Sequence, residues 1–362
     1  MTPVPSNDEA LPPGSTIGIV GGGQLGRMMA MAAARLGYRC HIFDPHEWPC
    51  AADVAARFTR ARFDDAEALD RFGEACDVVT YEFENVPVGP LAVLGSKLRP
   101  GTCSLEVAQD RAVEKKFLEK CGARVAPWYA VDAVDDIIAA IAELHAPVLL
   151  KTRRLGYDGK GQAWVHAPGD AAAAWEAIGR QPAVAEALVH FDREFSLIVA
   201  RTAVGDIRAF PPTRNHHEGG ILRTSTVPAG PEIERLSAAA LDSATAIAEA
   251  LDHVGVLTVE YFACPEGAIV NEIAPRVHNS GHWTIEGART TQFEQHLRCI
   301  LGLPLGDASL VAGGAEMENL IGPDVERWEE LVASPGAFVH IYGKGEARPG
   351  RKMGHVTCLP SP

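Results

Sequence analysis

Two acidic residues, Glu260 and Glu272, constrain the fold of this chain most strongly, because each lies in a β-type segment beside a common turn. The flanking segments 255–262 and 268–273 are β-branched and apolar, and a Cys-Pro-Glu-Gly turn that contains Glu266 separates them. This pattern predicts a hairpin. If its register is symmetric about Glu266, the two carboxylates are direct cross-strand partners, with Cβ atoms roughly 4.5–5.5 Å apart.

Like charges that face each other destabilise a sheet, so a cation is expected between Glu260 and Glu272. Mg²⁺ is usually held by one or two carboxylates together with substrate phosphates, and the pair therefore predicts a Mg²⁺-nucleotide site, with Mn²⁺ as an alternative ion. The competing interpretation is an exposed sheet face with two solvated acids. The polar run Pro-Arg-Val-His-Asn-Ser at 275–280, just after the second strand, favours the site.

A glycine-rich loop near the start of the chain predicts a β-loop-α-β unit. A short strand at 16–20 precedes the Gly-x-Gly-x-x-Gly spacing at 21–26, and a helical stretch then leads to a strand that ends at Asp44. Alone, this pattern is typical of NAD binding, so an NAD-dependent dehydrogenase is the main alternative from another class. The same loop also brings backbone N–H groups to any phosphate at a helix N-terminus. A further strand leads to Glu82, at the edge where open α/β sheets bind ligands.

A second group of strands combines charged residues with a flexible loop. The strand 146–151 ends in Lys151, and the following loop has three glycines among the six residues 156–161. Such a loop has many N–H groups and is suited to covering phosphates. Glu186 lies on a later strand. These features add a predicted phosphate-binding lid to the predicted metal site.

The composition argues against several classes of protein. A chain of 362 residues with 47% hydrophobic content is long enough for two or three domains with proper cores. Its formal charge of −14 argues against a nucleic-acid partner. No run approaches membrane-spanning length, and residues 1–14 lack the features of a signal peptide. With eight scattered cysteines interpreted as reduced thiols, these features predict a cytoplasmic protein that acts on small molecules.

Four motifs resemble those of one enzyme family. A strand-end lysine, a glycine-rich lid, an acid on a later strand and a paired-carboxylate hairpin occur in the order seen in ATP-grasp ligases. The segments at 21–28, 156–162, 271–282 and 348–355 are moreover similar to the 5-(carboxyamino)imidazole ribonucleotide synthase family. The likeness covers essentially the whole chain from Gly14 onward.

The resemblance implies an α/β fold with an N-terminal Rossmann-like (preATP-grasp) domain, a central ATP-grasp lid and core, and a small C-terminal domain. The expected bounds are a disordered extension at 1–14, the Rossmann-like substrate-binding domain at 15–113, the ATP-grasp domain at 114–302 with its lid at about 120–188, and the C-terminal domain at 303–362. It also implies a homodimer. One departure is Leu155, where the family usually has a second lid glycine; this change is expected to stiffen the lid.

The family reaction that the resemblance implies converts ATP, bicarbonate and 5-aminoimidazole ribonucleotide into the N-carboxylated nucleotide, ADP and phosphate, in de novo purine (IMP) biosynthesis. Bicarbonate is a poor electrophile, so the γ-phosphoryl group is first transferred to it. The exocyclic amine attacks either the resulting carboxyphosphate or the CO₂ that it releases. Water would destroy this intermediate, and a closing lid would both position the phosphates and exclude solvent.

The resemblance also assigns roles to individual residues. ATP binding is expected of Arg111, Lys151, Gly156, Tyr157, Asp158, Gly159, Lys160, Gly161, Gln162, Glu186, Ala187, Leu188, Val189, Glu194, His217, Asn271 and Glu272. Binding of the second substrates is expected of Gly23, Gln24, Leu25, Glu82, Tyr157, Asp158, Arg276, His278, Asn279, Ser280, Lys344 and Arg351. The expected catalytic residues are Arg276, His278, Lys151 and Lys160, and the expected metal ligands are Glu260 and Glu272. A surface ion pair remains an alternative for Glu194, and a solvated loop position for His217.

Other functions explain less of the sequence. An NAD-dependent dehydrogenase accounts for the glycine loop and Asp44 but leaves the carboxylate hairpin and the lid unexplained. The formate-dependent glycinamide ribonucleotide formyltransferase, a related ATP-grasp ligase, shares the ATP machinery but fits the motifs at 271–282 and 348–355 less naturally. A non-catalytic nucleotide-binding subunit would not need the full set of metal and phosphate ligands.

Overall fold

The strands form three sheets within residues 10–156 and 159–360, which are the residues that the computed structural model describes. Residues 1–9, for which disorder was expected, lie outside the described residues. So do Tyr157 and Asp158, to which the sequence assigns ATP and substrate contacts.

The N-terminal sheet is parallel and begins with the predicted β-loop-α-β unit. Its strands and accompanying helices are β1 (Thr16–Val20), α1 (Gln24–Arg35), β2 (Arg39–Asp44), β3 (Arg57–Arg60), α2 (Ala66–Glu74), β4 (Val78–Tyr81), α3 (Val88–Leu91) and α4 (Thr102–Ala108). The strand order is β3-β2-β1-β4. Strands β1, β2 and β4 are buried on both faces, and β1 and β4 are accordingly mostly apolar rather than alternating.

A smaller antiparallel sheet forms the lid. The helix that precedes it and its own elements are α5 (Arg111–Lys120), β5 (Trp128–Val131), α6 (Val134–Leu144), β6 (Val148–Thr152), β7 (Gln162–Val165), α7 (Ala171–Ala177) and β8 (Ala183–Ala187). The strand order is β5-β8-β6-β7. Helices α6 and α7 pack on this sheet through a separate apolar cluster that includes Ile137, Val148, Leu150 and Ala185.

The largest sheet contains the carboxylate hairpin. Its strands and the helices around it are β9 (Arg193–Arg201), β10 (Ile207–Ala209), β11 (Thr213–Glu218), β12 (Ile221–Val227), α8 (Pro231–Glu234), α9 (Ser237–Ala250), β13 (Gly255–Cys264), β14 (Gly267–Ala274), α10 (Thr284–Gly287), α11 (Gln292–Ile300), β15 (Ala315–Ile321), α12 (Trp328–Ala333), β16 (Ala337–Ile341) and β17 (Lys352–Cys358). The strand order is β14-β13-β9-β11-β12-β15-β17-β16, with β10 beside β9. Because β15 pairs with β12, the C-terminal strands extend the central sheet instead of forming a sheet of their own.

One apolar core joins the N-terminal, central and C-terminal parts. It includes Ile17 and Met29 from the N-terminal sheet and its helix, Trp283 and Leu297 from the central part, and Tyr342 near the C-terminus. Shared packing therefore holds these three parts together, while the lid has its own core.

Leu11, before the first strand, contacts the rest of the fold. The Leu11 N–H donates to the Leu301 carbonyl oxygen (2.9 Å), and the Tyr38 hydroxyl donates to the Leu11 carbonyl oxygen (2.7 Å). The Leu11 side chain also packs on the shared core.

All eight cysteines lie in the described residues, and all are unpaired. Among the described residues, no helix is long and apolar enough to cross a membrane.

Candidate active site

A cavity of about 1190 Å³ lies where the three sheets approach one another. The predicted site residues that line it are Gln24, Leu25, Glu82, Arg111, Lys151, Gly156, Gly159, Lys160, Gln162, Glu186, Ala187, Leu188, Val189, Glu194, His217, Glu260, Asn271, Glu272, Arg276, His278, Asn279, Lys344 and Arg351. Gly23, Gly161 and Ser280 do not line it. The chain thus brings residues from all three sheets to one space large enough for a nucleotide and a second substrate.

The two acids of the hairpin face each other, as predicted. Glu260 pairs with Glu272 between β13 and β14, but Tyr261 pairs with Val270, so the register is not symmetric about Glu266. A β-bulge at Asn271 supplies the extra residue. Since Asn271 and Glu272 both line the cavity, the bulge directs two consecutive side chains towards it.

Each acid of the pair has its own cationic or proton-donating partner. Arg111 Nη1 lies 2.9 Å from Glu272 Oε2, and His278 Nε2 lies 3.0 Å from Glu260 Oε1. Burial acts to raise the pKa of Glu260, but the hydrogen bond from His278 and the nearby positive charges lower it below its ordinary value. Glu260 is therefore suited to remain a carboxylate.

The donor set fits a divalent ion that also binds phosphates. The described residues contain no cluster of three or more acidic, histidine or cysteine side chains able to hold a metal by themselves. Two carboxylates on neighbouring strands match the small protein contribution that Mg²⁺ needs when phosphate oxygens supply further ligands. Glu260 and Glu272 are the residues that would hold such an ion.

Two buried lysines lie on either side of Glu186. Lys151 Nζ donates to Glu186 Oε2 (2.9 Å) and to Asn271 Oδ1 (3.4 Å), while Lys115 Nζ lies 3.0 Å from Glu186 Oε1. Burial acts to raise the pKa of Glu186, but the two lysines lower it to about 2. Sequence reasoning missed Lys115, although it lies four residues after Arg111 and hence on the same face of α5.

The start of α5 is tied to the lid. Asp110 accepts hydrogen bonds from the backbone N–H groups of Ala112 and Val113, and Arg153 Nη2 lies 2.9 Å from its Oδ2. The Arg111 N–H also donates to the Arg153 carbonyl oxygen (2.9 Å). These contacts place Arg111 at the cavity and anchor the end of β6, which carries Lys151.

Glu194 and His217 form a pair rather than separate surface groups. Glu194 Oε2 contacts His217 Nδ1, and both side chains are about three-quarters buried. Burial acts to lower the pKa of His217, but Glu194 and the charge of Glu260 raise it above its ordinary value. The pair therefore places an imidazole ring next to a carboxylate at the cavity wall.

Arg276 bridges the central sheet and the N-terminal domain. Its Nη2 lies 2.6 Å from Glu84 Oε2. Glu84 is a second residue that sequence reasoning did not assign, although it follows Glu82 at the end of β4. This contact places the Arg276 guanidinium between the two parts of the cavity wall.

Two carboxylates hold the glycine-rich loop at 21–26. Asp44 accepts from the Gly22 N–H (2.8 Å), and Glu82 accepts from the Gly23 N–H (2.9 Å). At Gly21, where φ is +102°, an added Cβ would lie 2.7 Å from Glu82 Cγ, so glycine is needed there. Asp44, the acid that the dehydrogenase alternative assigns to ribose binding, thus also anchors the loop itself.

Basic residues from the C-terminal part complete the wall. Lys344, Arg348, Arg351 and Lys352 line the cavity. Lys344 Nζ lies 5.5 Å from the Tyr342 ring centroid, and burial lowers the pKa of Lys344. This group suits an anion bound near Glu82 and the start of α1.

Comparison with known proteins agrees with this architecture. The sequence matches the ribonucleotide synthetase preATP-grasp domain over residues 15–109, the ATP-grasp domain over 116–293 and the phosphoribosylaminoimidazole carboxylase C-terminal domain over 315–361. The N5-carboxyaminoimidazole ribonucleotide synthase of Brucella melitensis is 48% identical over 355 residues, which cover 97% of this chain and 98% of that protein.

Solved structures show the same similarity. A crystal structure of the ADP complex of an N5-carboxyaminoimidazole ribonucleotide synthetase superposes with a TM-score of 0.93 at 41% identity, covering 97% of this chain and 94% of that one. The Aspergillus clavatus N5-carboxyaminoimidazole synthase, in complex with ADP and 5-aminoimidazole ribonucleotide, superposes with a TM-score of 0.90 at 30% identity, covering 96% of this chain and 94% of that one.

The fold and the site together define an ATP-grasp ligase, which confirms the predicted fold and enzyme class. More narrowly, the chain belongs to the N5-carboxyaminoimidazole ribonucleotide synthase family, as the four sequence motifs indicated. The dehydrogenase alternative is thereby excluded.

Proposed function

We propose that this protein carboxylates 5-aminoimidazole ribonucleotide with bicarbonate at the expense of ATP, in purine biosynthesis. The observation that carries this proposal is the convergence of the Glu260–Glu272 pair, the buried Lys151 and a separate basic group on one cavity. A bicarbonate oxygen attacks the γ-phosphorus and ADP leaves, which forms carboxyphosphate. The exocyclic amine then forms the new C–N bond, phosphate leaves and the amine loses a proton.

The ATP end of the cavity lies between the lid and the central sheet. Lys151, Lys160 and Arg111 bind phosphate oxygens and offset the charge that develops as the phosphoryl group moves. Glu194 binds a ribose hydroxyl, and the segment from Glu186 to Val189 lies along the adenine. Glu260 and Glu272 would hold a magnesium ion, which would neutralise phosphate charge.

The second end of the cavity lies between the N-terminal and C-terminal parts. Arg276 and His278 bind and orient bicarbonate and then carboxyphosphate, for which a guanidinium is well suited. Lys344, Arg351 and the N-terminus of α1 at Gln24 bind the phosphate of the ribonucleotide. Glu82 contacts its imidazole or ribose. The lid, with its glycine-rich loop between β6 and β7, closes over both substrates and keeps water from carboxyphosphate.

Release of ADP tests the reaction. Purified protein with Mg²⁺-ATP should release ADP rapidly only when bicarbonate and 5-aminoimidazole ribonucleotide are both present. Glu272→Ala should reduce this rate by at least about a hundredfold, because the ion that would offset the charge of the transition state loses one of its two carboxylate ligands. Glu266→Ala, in the exposed turn of the same hairpin, is the matched control and should keep full activity.

The outcome separates related ligases. If 5-aminoimidazole ribonucleotide has no effect while formate with glycinamide ribonucleotide stimulates ADP release, the ATP-grasp chemistry stands and the proposed substrate is wrong.

We also infer that the protein acts as a cytoplasmic homodimer and that its ion is Mg²⁺, with Mn²⁺ as a substitute. The four-motif resemblance supports the dimer, and the unpaired cysteines fit a reducing compartment. Light scattering should give twice the mass of one chain. A chelator should abolish ADP release, and either ion should restore it.

A further inference from the structure

An acidic side chain lies beside the arginine to which the proposed function assigns bicarbonate. Glu84 Oε2 lies 2.6 Å from Arg276 Nη2, and both residues line the cavity. The side chain of Glu84 is 27% exposed and that of Arg276 is 15% exposed. Both charged groups can therefore be reached by a small molecule in the cavity.

The main chain around Glu84 is fixed to the N-terminal domain. Before it, the Glu82 N–H donates to the Val20 carbonyl oxygen (2.9 Å). After it, the side-chain amide of Gln109 donates to the carbonyl oxygens of Glu84 (2.8 Å) and Val86 (2.7 Å). The domain itself thus places the Glu84 backbone, independently of the ion pair with Arg276.

The ion pair leaves both side chains with further bonding capacity. The Arg276 guanidinium has five N–H donors in a planar fork, one of which donates to the Val277 carbonyl oxygen (3.1 Å). Its remaining donors suit two oxygens of a planar anion. An ionised carboxylate has about four lone-pair sites, so Glu84 can accept hydrogen bonds besides its contact with Arg276.

A carboxylate beside an anion-binding arginine discriminates between anions. Its charge repels a simple anion and offsets part of the attraction of the guanidinium. Bicarbonate differs from simple anions because it carries an O–H group, which can donate to the carboxylate while the other two oxygens accept from the guanidinium. Formate has two such oxygens but a C–H in place of the O–H, so it gains only the repulsion.

We propose that Glu84 accepts a hydrogen bond from the O–H group of bicarbonate and thereby makes the site selective for bicarbonate over formate. The inference rests on the proposed function, in which Arg276 binds bicarbonate. A site built to pair with a substrate O–H group rejects an analogue that lacks it, because the polar group of the site is then left unpaired. Glu84 is thus a specificity-determining residue that the N-terminal domain contributes to the reacting end of the cavity.

Competition between the two anions measures this selectivity. At saturating Mg²⁺-ATP and 5-aminoimidazole ribonucleotide, the rate of ADP release gives KM for bicarbonate, and formate added as a competing anion gives its inhibition constant. In the unsubstituted protein the inhibition constant for formate should exceed KM for bicarbonate by at least about tenfold, because a hydrogen bond to a charged group provides discrimination of that order.

Two substitutions of Glu84 separate its charge from its acceptor. Glu84→Met removes both from an unbranched side chain, so KM for bicarbonate should rise by at least about tenfold while the inhibition constant for formate falls or stays the same. Glu84→Gln keeps a neutral acceptor and should lose only part of the selectivity, which also provides a result if Glu84→Met does not fold. Glu106→Gln is the matched control, because it makes the same charge change at an exposed position of α4 that does not line the cavity, and it should leave both constants unchanged.

Three results would overturn the proposal. Formate that competes as well as bicarbonate in the unsubstituted protein would show that the site is not selective. A KM for bicarbonate that Glu84→Met leaves unchanged would show that the carboxylate does not accept from the O–H group. A proportional rise of both constants in that variant would show that Glu84 only holds Arg276 in place.

These results are distinct from a failure of the proposed function. All three leave ADP release dependent on bicarbonate. An unsubstituted protein whose ADP release does not depend on bicarbonate would overturn the proposed function and this inference with it, and that measurement precedes any variant.

Discussion

At the residue scale, Lys115 shows how much one buried charge contributes to the stability of the fold. Its ammonium group and that of Lys151 share the Glu186 carboxylate, and Lys115 is 1% exposed. Breaking a buried ion pair typically costs about 3–5 kcal/mol, because one charge is left without compensation. Since Lys151 remains, we expect Lys115→Met to lower the free energy of unfolding by about 3 kcal/mol at neutral pH. Urea unfolding followed by tryptophan fluorescence measures this change.

The pH dependence of the same variant gives an independent check. Glu186 has a lowered pKa, so its ion pairs stabilise the fold above its unfolded pKa of about 4.3, and this contribution is lost as the pH falls towards about 2. Lys115→Met raises the folded-state pKa of Glu186, so the variant loses less stability as the pH falls across this range. The difference in unfolding free energy should therefore shrink in acid. A constant difference, or an equal effect of Lys116→Met on the exposed side of α5, would contradict this account.

At the scale of elements, Asp110 couples helix α5 to strand β6 of the lid. Its carboxylate caps the helix and pairs with Arg153. Asp110→Asn keeps an oxygen for the cap but removes the charge, whereas Asp110→Ala removes both. Loss of an N-cap costs about 1 kcal/mol, so Asp110→Ala should be less stable than Asp110→Asn by about that amount.

Both Asp110 variants should also loosen the lid. The end of β6 loses its ionic anchor in each, so limited proteolysis between Arg153 and Gln162 should be faster than in the unsubstituted protein, and bound ATP should slow it. Arg180→Ala, which removes an exposed ion pair with Glu176 on α7 of the same lid, is the control. Equal cleavage rates in all proteins would show that the anchor has no effect on the lid.

At the scale of the whole molecule, the distribution of cores predicts how the protein opens. The N-terminal, central and C-terminal parts share one apolar cluster, whereas the lid packs around its own. Native-state hydrogen exchange should therefore show β5, β6, β7 and β8 opening at a lower free energy than β1, β13 and β15, which contribute to the shared cluster. ATP should raise protection mainly in the lid. Opening of β1 or β15 before the lid would contradict this order.

Several features of the fold and site followed from local patterns. The β-branched segments around a Pro-Gly turn predicted that Glu260 and Glu272 face each other, and a lysine at a strand end before three glycines predicted the lid. Both signals arise from residues close together in the chain. The bulge at Asn271 was missed because the pattern of apolar residues does not reveal an extra residue in one strand.

The sequence by itself determined the strands and the glycine loops, because turn chemistry and hydrophobic periodicity act over short stretches of chain. The resemblance of its four motifs indicated an ATP-grasp ligase. Only the tertiary structure placed Lys115 beside Glu186 and Glu84 beside Arg276. It also joined β15 to β12 and Leu11 to Leu301. These contacts link residues far apart in sequence, and which of them meet depends on how whole elements pack.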